Sequence, residues 1–98
     1  MTESPPNTVR HTVYTDRTIG LTVIAWPDPK INRCWLVHFH RWSYKAARSL
    51  LGQTAIWRPG GGWDRLSRWD PIRHHLIPPA ALAAVEAWLA EQAAEVVK

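Results

Sequence analysis

Two hydrophobic periods alternate along this chain, and each switch between them marks a change of element. Val9, His11, Val13 and Thr15 alternate with Arg10, Thr12 and Tyr14, and Ile19, Leu21, Val23 and Ala25 alternate with Thr22, Ile24 and Trp26. A period of two sends successive side chains to opposite faces of a pleated strand. The short link Asp16-Arg17-Thr18 therefore predicts a hairpin. Pro27-Asp28-Pro29 stops its second strand, because proline donates no ladder hydrogen bond. After a loop through Lys30 and Asn32, the run Arg33 to His40 predicts a third antiparallel strand.

The pattern then loses its alternation. Ser43 stands where an N-cap belongs, ahead of Tyr44, Ala46, Ala47, Leu50 and Leu51, and Gly52 is placed to close a helix in the left-handed conformation. A short helix is expected here, with Arg41, Lys45 and Arg48 along one edge. Thr54 to Arg58 predicts another strand, followed by the turn-forming Pro59-Gly60-Gly61-Gly62. Trp63 to Trp69 fits a returning strand about as well as a short helix with an Asp64 to Arg68 pair, and the hairpin is preferred. Pro71 to Leu76 reads as extended. Pro78-Pro79 then opens the clearest element, a helix to about Val96 with Leu82, Val85, Leu89 and Val96 as its buried stripe and Trp88 at the edge.

These elements predict an α+β fold: a small antiparallel sheet of four to five strands, a short helix inserted after strand 3, and a C-terminal helix packed on one face. Residues 1–7, polar with two prolines, read as a disordered lead-in, and residues 8–98 as a single domain.

Composition changes the picture in one respect. A chain of 98 residues has one core to stabilise it, and seven tryptophans are many for that core. Burying an indole removes ~150–250 Å² from water, so most of them are expected to be partly core. The single Cys34 has no internal partner, and the polar start holds no apolar signal segment, so a cytoplasmic location is expected. No apolar run approaches the ~20 residues that cross a bilayer, so no membrane partner is expected.

Charge sharpens the reading further. Between Lys30 and His75, nine basic residues stand against Asp64 and Asp70 alone, a local balance of +7, while both flanks are mildly acidic. Five of the seven indoles lie in the same stretch. Cations that track phosphates and flat side chains on which bases stack are the ingredients of nucleic-acid binding. Arg41, Lys45, Arg48, Arg58, Arg65, Arg68 and Arg73 are the candidate phosphate contacts, and Trp57, Trp63 and Trp69 the candidate stacking platforms. Arginine lying over tryptophan also covers the edge of a core with no ligand at all, so each pair carries a structural alternative.

The leading expectation is a non-enzymatic binding module for nucleic acid, single-stranded or duplex, without a cofactor. The alternative is an adaptor or inhibitor that meets an acidic protein surface, or a second copy of itself as a homodimer, through the same Trp/Arg residues, which are enriched at interface hot spots. A metal-free ribonuclease-like enzyme ranks third, with His38, His40, His74 and His75 as acid and base and Lys45 and Arg48 as phosphate stabilisers. His38 and His40, about 6.5 Å apart on one strand face, are weak candidates for a metal, whereas Cys34 lies ~13 Å from His38 along an extended strand. Nothing in the sequence suggests a serine or cysteine triad. The triglycine lacks the following Lys-Ser/Thr of a phosphate loop, so no nucleotide site is expected there.

Overall fold

The computed structural model describes residues 9–30, 33–64, 71 and 75–96, with side chains through residue 93. Among the described residues, five strands follow one another as β1 (His11–Asp16), β2 (Leu21–Pro27), β3 (Trp35–Ser43), β4 (Arg48–Arg58) and β5 (Gly62–Trp63), and one helix, α1 (Pro79–Val96), comes after them. The strands form a single antiparallel meander in the order β1-β2-β3-β4-β5. The fold is thus a small α+β domain. No helix among the described residues is long and apolar enough to cross a membrane.

Register decides which face becomes core. Val23 pairs with Phe39, Ala25 with Val37, and Val37 with Ala55, so these odd-numbered positions point to one side and all are buried. Trp35, Trp57 and Trp63 extend the same face toward β5, again through directly paired positions. Helix α1 covers this side with Ala81, Leu82, Val85 and Leu89, the stripe that the helical period requires. Trp88 packs edge-on against Trp35 with ring centroids 5.2 Å apart, and its ring also meets that of His11 of β1. The Pro78 carbonyl accepts the first helical hydrogen bond, from Leu82 N at 3.1 Å, and Pro79 occupies the first turn, where a missing N–H costs nothing. The side chain of Val96, expected in the stripe, lies outside the described residues.

The helix expected after strand 3 does not form. Residues 44–47 are a turn, and Arg48 onward is strand β4, paired with β3 from Ser43↔Arg48 to Trp35↔Trp57. Two turns of isolated helix are marginal, because nucleation fixes several residues for the first hydrogen bond. A long ladder against β3 satisfies far more backbone groups and buries Leu51, Ala55 and Trp57. The register slips between Arg41 and Trp42, so that Leu50 has no partner on β3, and this bulge broke the alternation that would have announced the strand. Ser43 still caps locally: its Oγ accepts a hydrogen bond from Ala46 N at 3.0 Å. Gly52 sits inside β4 and closes nothing.

The remaining turns follow from residue type. Gly61 N bonds to the Arg58 carbonyl at 3.1 Å around Pro59-Gly60, and Gly60 has φ +77°, as the third residue of a type II turn demands. Gly62–Trp63 then pairs back on Trp57 and Arg58, so the expected hairpin is present at its start, while residues 65–70 lie outside the described residues. The lead-in at residues 1–7 lies outside them as well.

Candidate functional site

The β1–β2 turn and the β3–β4 turn meet at one end of the sheet. There the backbone of Gly20 lies against that of Trp42: Trp42 N donates to the Gly20 carbonyl at 2.8 Å. A Cβ added at Gly20 would stand 2.1 Å from the Trp42 carbonyl oxygen, and its φ of +71° is one that side-chain-bearing residues rarely adopt. This close approach brings Ile19 beside Trp42 and opens a cleft of about 330 Å³ lined by Ile19, Arg41, Trp42, Tyr44, Lys45 and Leu50.

The cleft is aromatic, apolar and cationic together. Trp42 is 39% exposed, Tyr44 65% and Leu50 38%, three of the four large hydrophobic side chains most exposed among the described residues. Lys45 lines it, and Arg48 follows the same turn; both are exposed, and among the described residues no carboxylate pairs with either. Arg41 has a different job. Its Nε donates to the Ile19 carbonyl at 3.0 Å and its Nη1 to the Leu76 carbonyl at 2.8 Å, tying the first turn to the segment that leads into α1. Arg41 therefore holds the cleft together and lends it charge. Thr18 also lines the cleft; Asp16 accepts from its Oγ1 at 2.5 Å and from its N at 3.0 Å, and the Thr18 hydroxyl, chiefly, holds the Asp16 carboxyl below the usual range.

The other expected contacts are distributed differently. Trp57 and Trp63 are each 7% exposed, so their indole faces are taken up by core packing and present no plane to a base. Trp63 packs on Phe39 and donates its Nε1 proton to Glu86 of α1 at 3.0 Å. Arg58, 45% exposed, is paired with Asp64 at 3.2 Å, which offsets its charge. Arg65, Arg68, Trp69, Arg73 and His74 lie outside the described residues. Of the ten residues expected at the site, the structure thus brings Arg41 and Lys45 together in the cleft at the hairpin end, with Arg48 paired to Ser43 at the start of β4. Tyr44 and Leu50, which the sequence reading assigned to a helix, join them as surface residues. Their signal was an aromatic and a leucine flanking a short turn between two strands, legible only once residues 48–58 are read as a strand.

His38 and His40 project from the side of β3 that faces away from α1. Their ring centroids are 6.4 Å apart with planes inclined by 20°. His38 Nδ1 shares a hydrogen bond of 2.9 Å with Thr54 Oγ1, and His40 Nε2 one of 3.2 Å with Ser49 Oγ. Burial pushes the His38 pKa below its ordinary value, helped by the charges of His40 and Arg10. No three metal-ligating side chains come together among the described residues, and Cys34 is buried in its own place.

Against this geometry, no protein-family model, no curated protein and no solved structure matches the chain.

Proposed function

We propose that the domain is a binding module that takes nucleic acid at the cleft between its β1–β2 and β3–β4 turns. The observation that carries this reading is the juxtaposition in the cleft of two exposed aromatic rings, Trp42 and Tyr44, with Lys45, while Arg48 stands exposed at the end of the same turn. Phosphates meet the two cations and Arg41, and bases stack on the rings. The cations cost little to hold there, because they remain hydrated until a polyanion displaces its own counterions. Trp57 and Trp63 are buried and Trp42 and Tyr44 exposed, which supports the latter pair as the stacking rings.

The test is anisotropy of a labelled oligonucleotide titrated with the full chain and its variants. Lys45→Glu and Arg48→Glu are expected to weaken binding by roughly tenfold each at low salt, and Trp42→Ala by a similar factor. Wild-type affinity in all three variants would refute the reading.

The exposed apolar side of the cleft, Leu50 with Trp42, favours a second reading, an acidic protein partner with an aromatic anchor. That partner would leave oligonucleotides unbound, and its affinity would respond more to Trp42→Ala than to the charge reversals.

A further inference from the structure

The side of the sheet turned away from α1 carries flat and hydroxylated side chains that the cleft does not use. The register sets Thr12, Ile24, His38 and Thr54 in one row across four strands, and Trp26, Leu36 and Ile56 in the next. These positions are half-buried or exposed, where their neighbours Val23, Val37 and Ala55 on the other side are buried. Alternation along β3 puts Leu36, His38, His40 and Trp42 on this same side, a span of about 20 Å that ends at the cleft.

Chemistry narrows what such a surface fits. The spacing of His38 and His40 is the ordinary strand repeat, but their near-parallel planes are particular, and hydroxyls from β4 hold both rings. Their 6.4 Å separation is close to twice the ~3.4 Å rise of stacked bases, which matches one base plane between two rings. At the far end the guanidinium of Arg10 lies 4.5 Å from the ring centroid of Trp26. None of the paired strand positions on this side is acidic. The same face of a second copy would bring no acidic strand position against Arg10. A duplex keeps its bases stacked within itself and offers no base face to the rings, whereas a single strand offers both phosphates and bases.

Building on the proposed cleft reading, we infer that the ligand is single-stranded nucleic acid, running from Trp42 and Tyr44 along the outer side of β3, over His40 and His38, toward Trp26. The cleft holds one end and the sheet face receives the following bases. The occupied length corresponds to about four nucleotides, the low end for a small sheet module.

The experiment compares the full chain's binding of one labelled oligonucleotide of about twelve nucleotides, single-stranded and annealed to its complement, at low salt. The inference predicts at least about tenfold tighter binding of the single strand. It also predicts a loss of about tenfold in single-strand affinity for the His38→Ala/His40→Ala double variant, with duplex binding unchanged. In the unsubstituted protein, the imidazole carbon-bound proton signals of His38 and His40 should shift in NMR as the single strand is added, a readout independent of how the variant folds. Equal affinity for duplex and single strand, or unmoved imidazole signals at saturation, overturns the inference while Lys45→Glu still weakens binding and the cleft reading stands. No binding of either form overturns both.

Discussion

Trp63 of β5 donates its indole N–H to the Glu86 carboxylate of α1 across 3.0 Å, the polar clasp between the last strand and the helix. An indole that looks from the sequence like a binding platform is thus a hinge pin of the core, with its ring on Phe39 and its nitrogen on the helix. Trp63→Ala is expected to cost ~3–5 kcal/mol, and Glu86→Ala about 1–2 kcal/mol because it leaves a largely buried N–H without its acceptor. Urea denaturation of the purified variants measures both, and affinity for oligonucleotide, corrected for the folded fraction, should stay at the wild-type value.

Gly20 predicts a second effect on stability. A methyl group there meets the Trp42 carbonyl oxygen at 2.1 Å, and backbone cannot swing aside as a side-chain tip can. Gly20→Ala is therefore expected to destabilise the domain by ~2 kcal/mol or more and to open the cleft, since the same backbone contact forms its wall. A thermal melt shows the first and loss of oligonucleotide binding the second; an unchanged melting temperature would show that the two turns do not meet this closely.

Ala47 offers the opposite sign. Its φ of 51° puts a β-carbon in the left-handed region at the end of the β3–β4 turn. Ala47→Gly should stabilise the fold by up to ~1 kcal/mol, relief of that strain exceeding the added freedom of the unfolded chain. The residue is exposed, so nothing else in the core changes. A lower denaturation midpoint would refute this account of the turn.

Much of this architecture is legible in the sequence, and the failures share one physical cause. The strict alternation of Leu21, Val23 and Ala25 and the helical spacing of Leu82, Val85 and Leu89 each announce their element, because one face of each is wholly buried. Ser43 to Gly52 deceives because local capping chemistry is real there, Ser43 bonding Ala46, while the strand that wins is specified by pairing with β3. Its unpaired Leu50 hides the period. The site inherits that error. Arg41 and Lys45 line one cleft at a hairpin end, with Arg48 starting the strand beyond it, and the number of indoles could not say that Trp57 and Trp63 face inward, since direction follows from strand register.

His38 makes stability depend on pH. Burial, with the charges of His40 and Arg10, lowers its folded-state pKa below 6.5, so the unfolded chain binds more protons as the solution turns acidic. Stability is full above about pH 6.5 and declines as pH falls from there through the lower folded value. Denaturation midpoints measured across that window should fall with pH in the wild type and fall less in His38→Gln. An equal decline in the two would assign the effect elsewhere.

The central claim, that the hairpin-end cleft binds nucleic acid through its cations, is tested most directly by the salt dependence of oligonucleotide affinity. Two or three phosphate contacts from Arg41, Lys45 and Arg48 predict a slope of log affinity against log salt of about −1.4 to −2 for a single strand, reduced by about 0.7 in Lys45→Glu. A flat slope, or the same slope in the wild type and in Lys45→Glu, would contradict it.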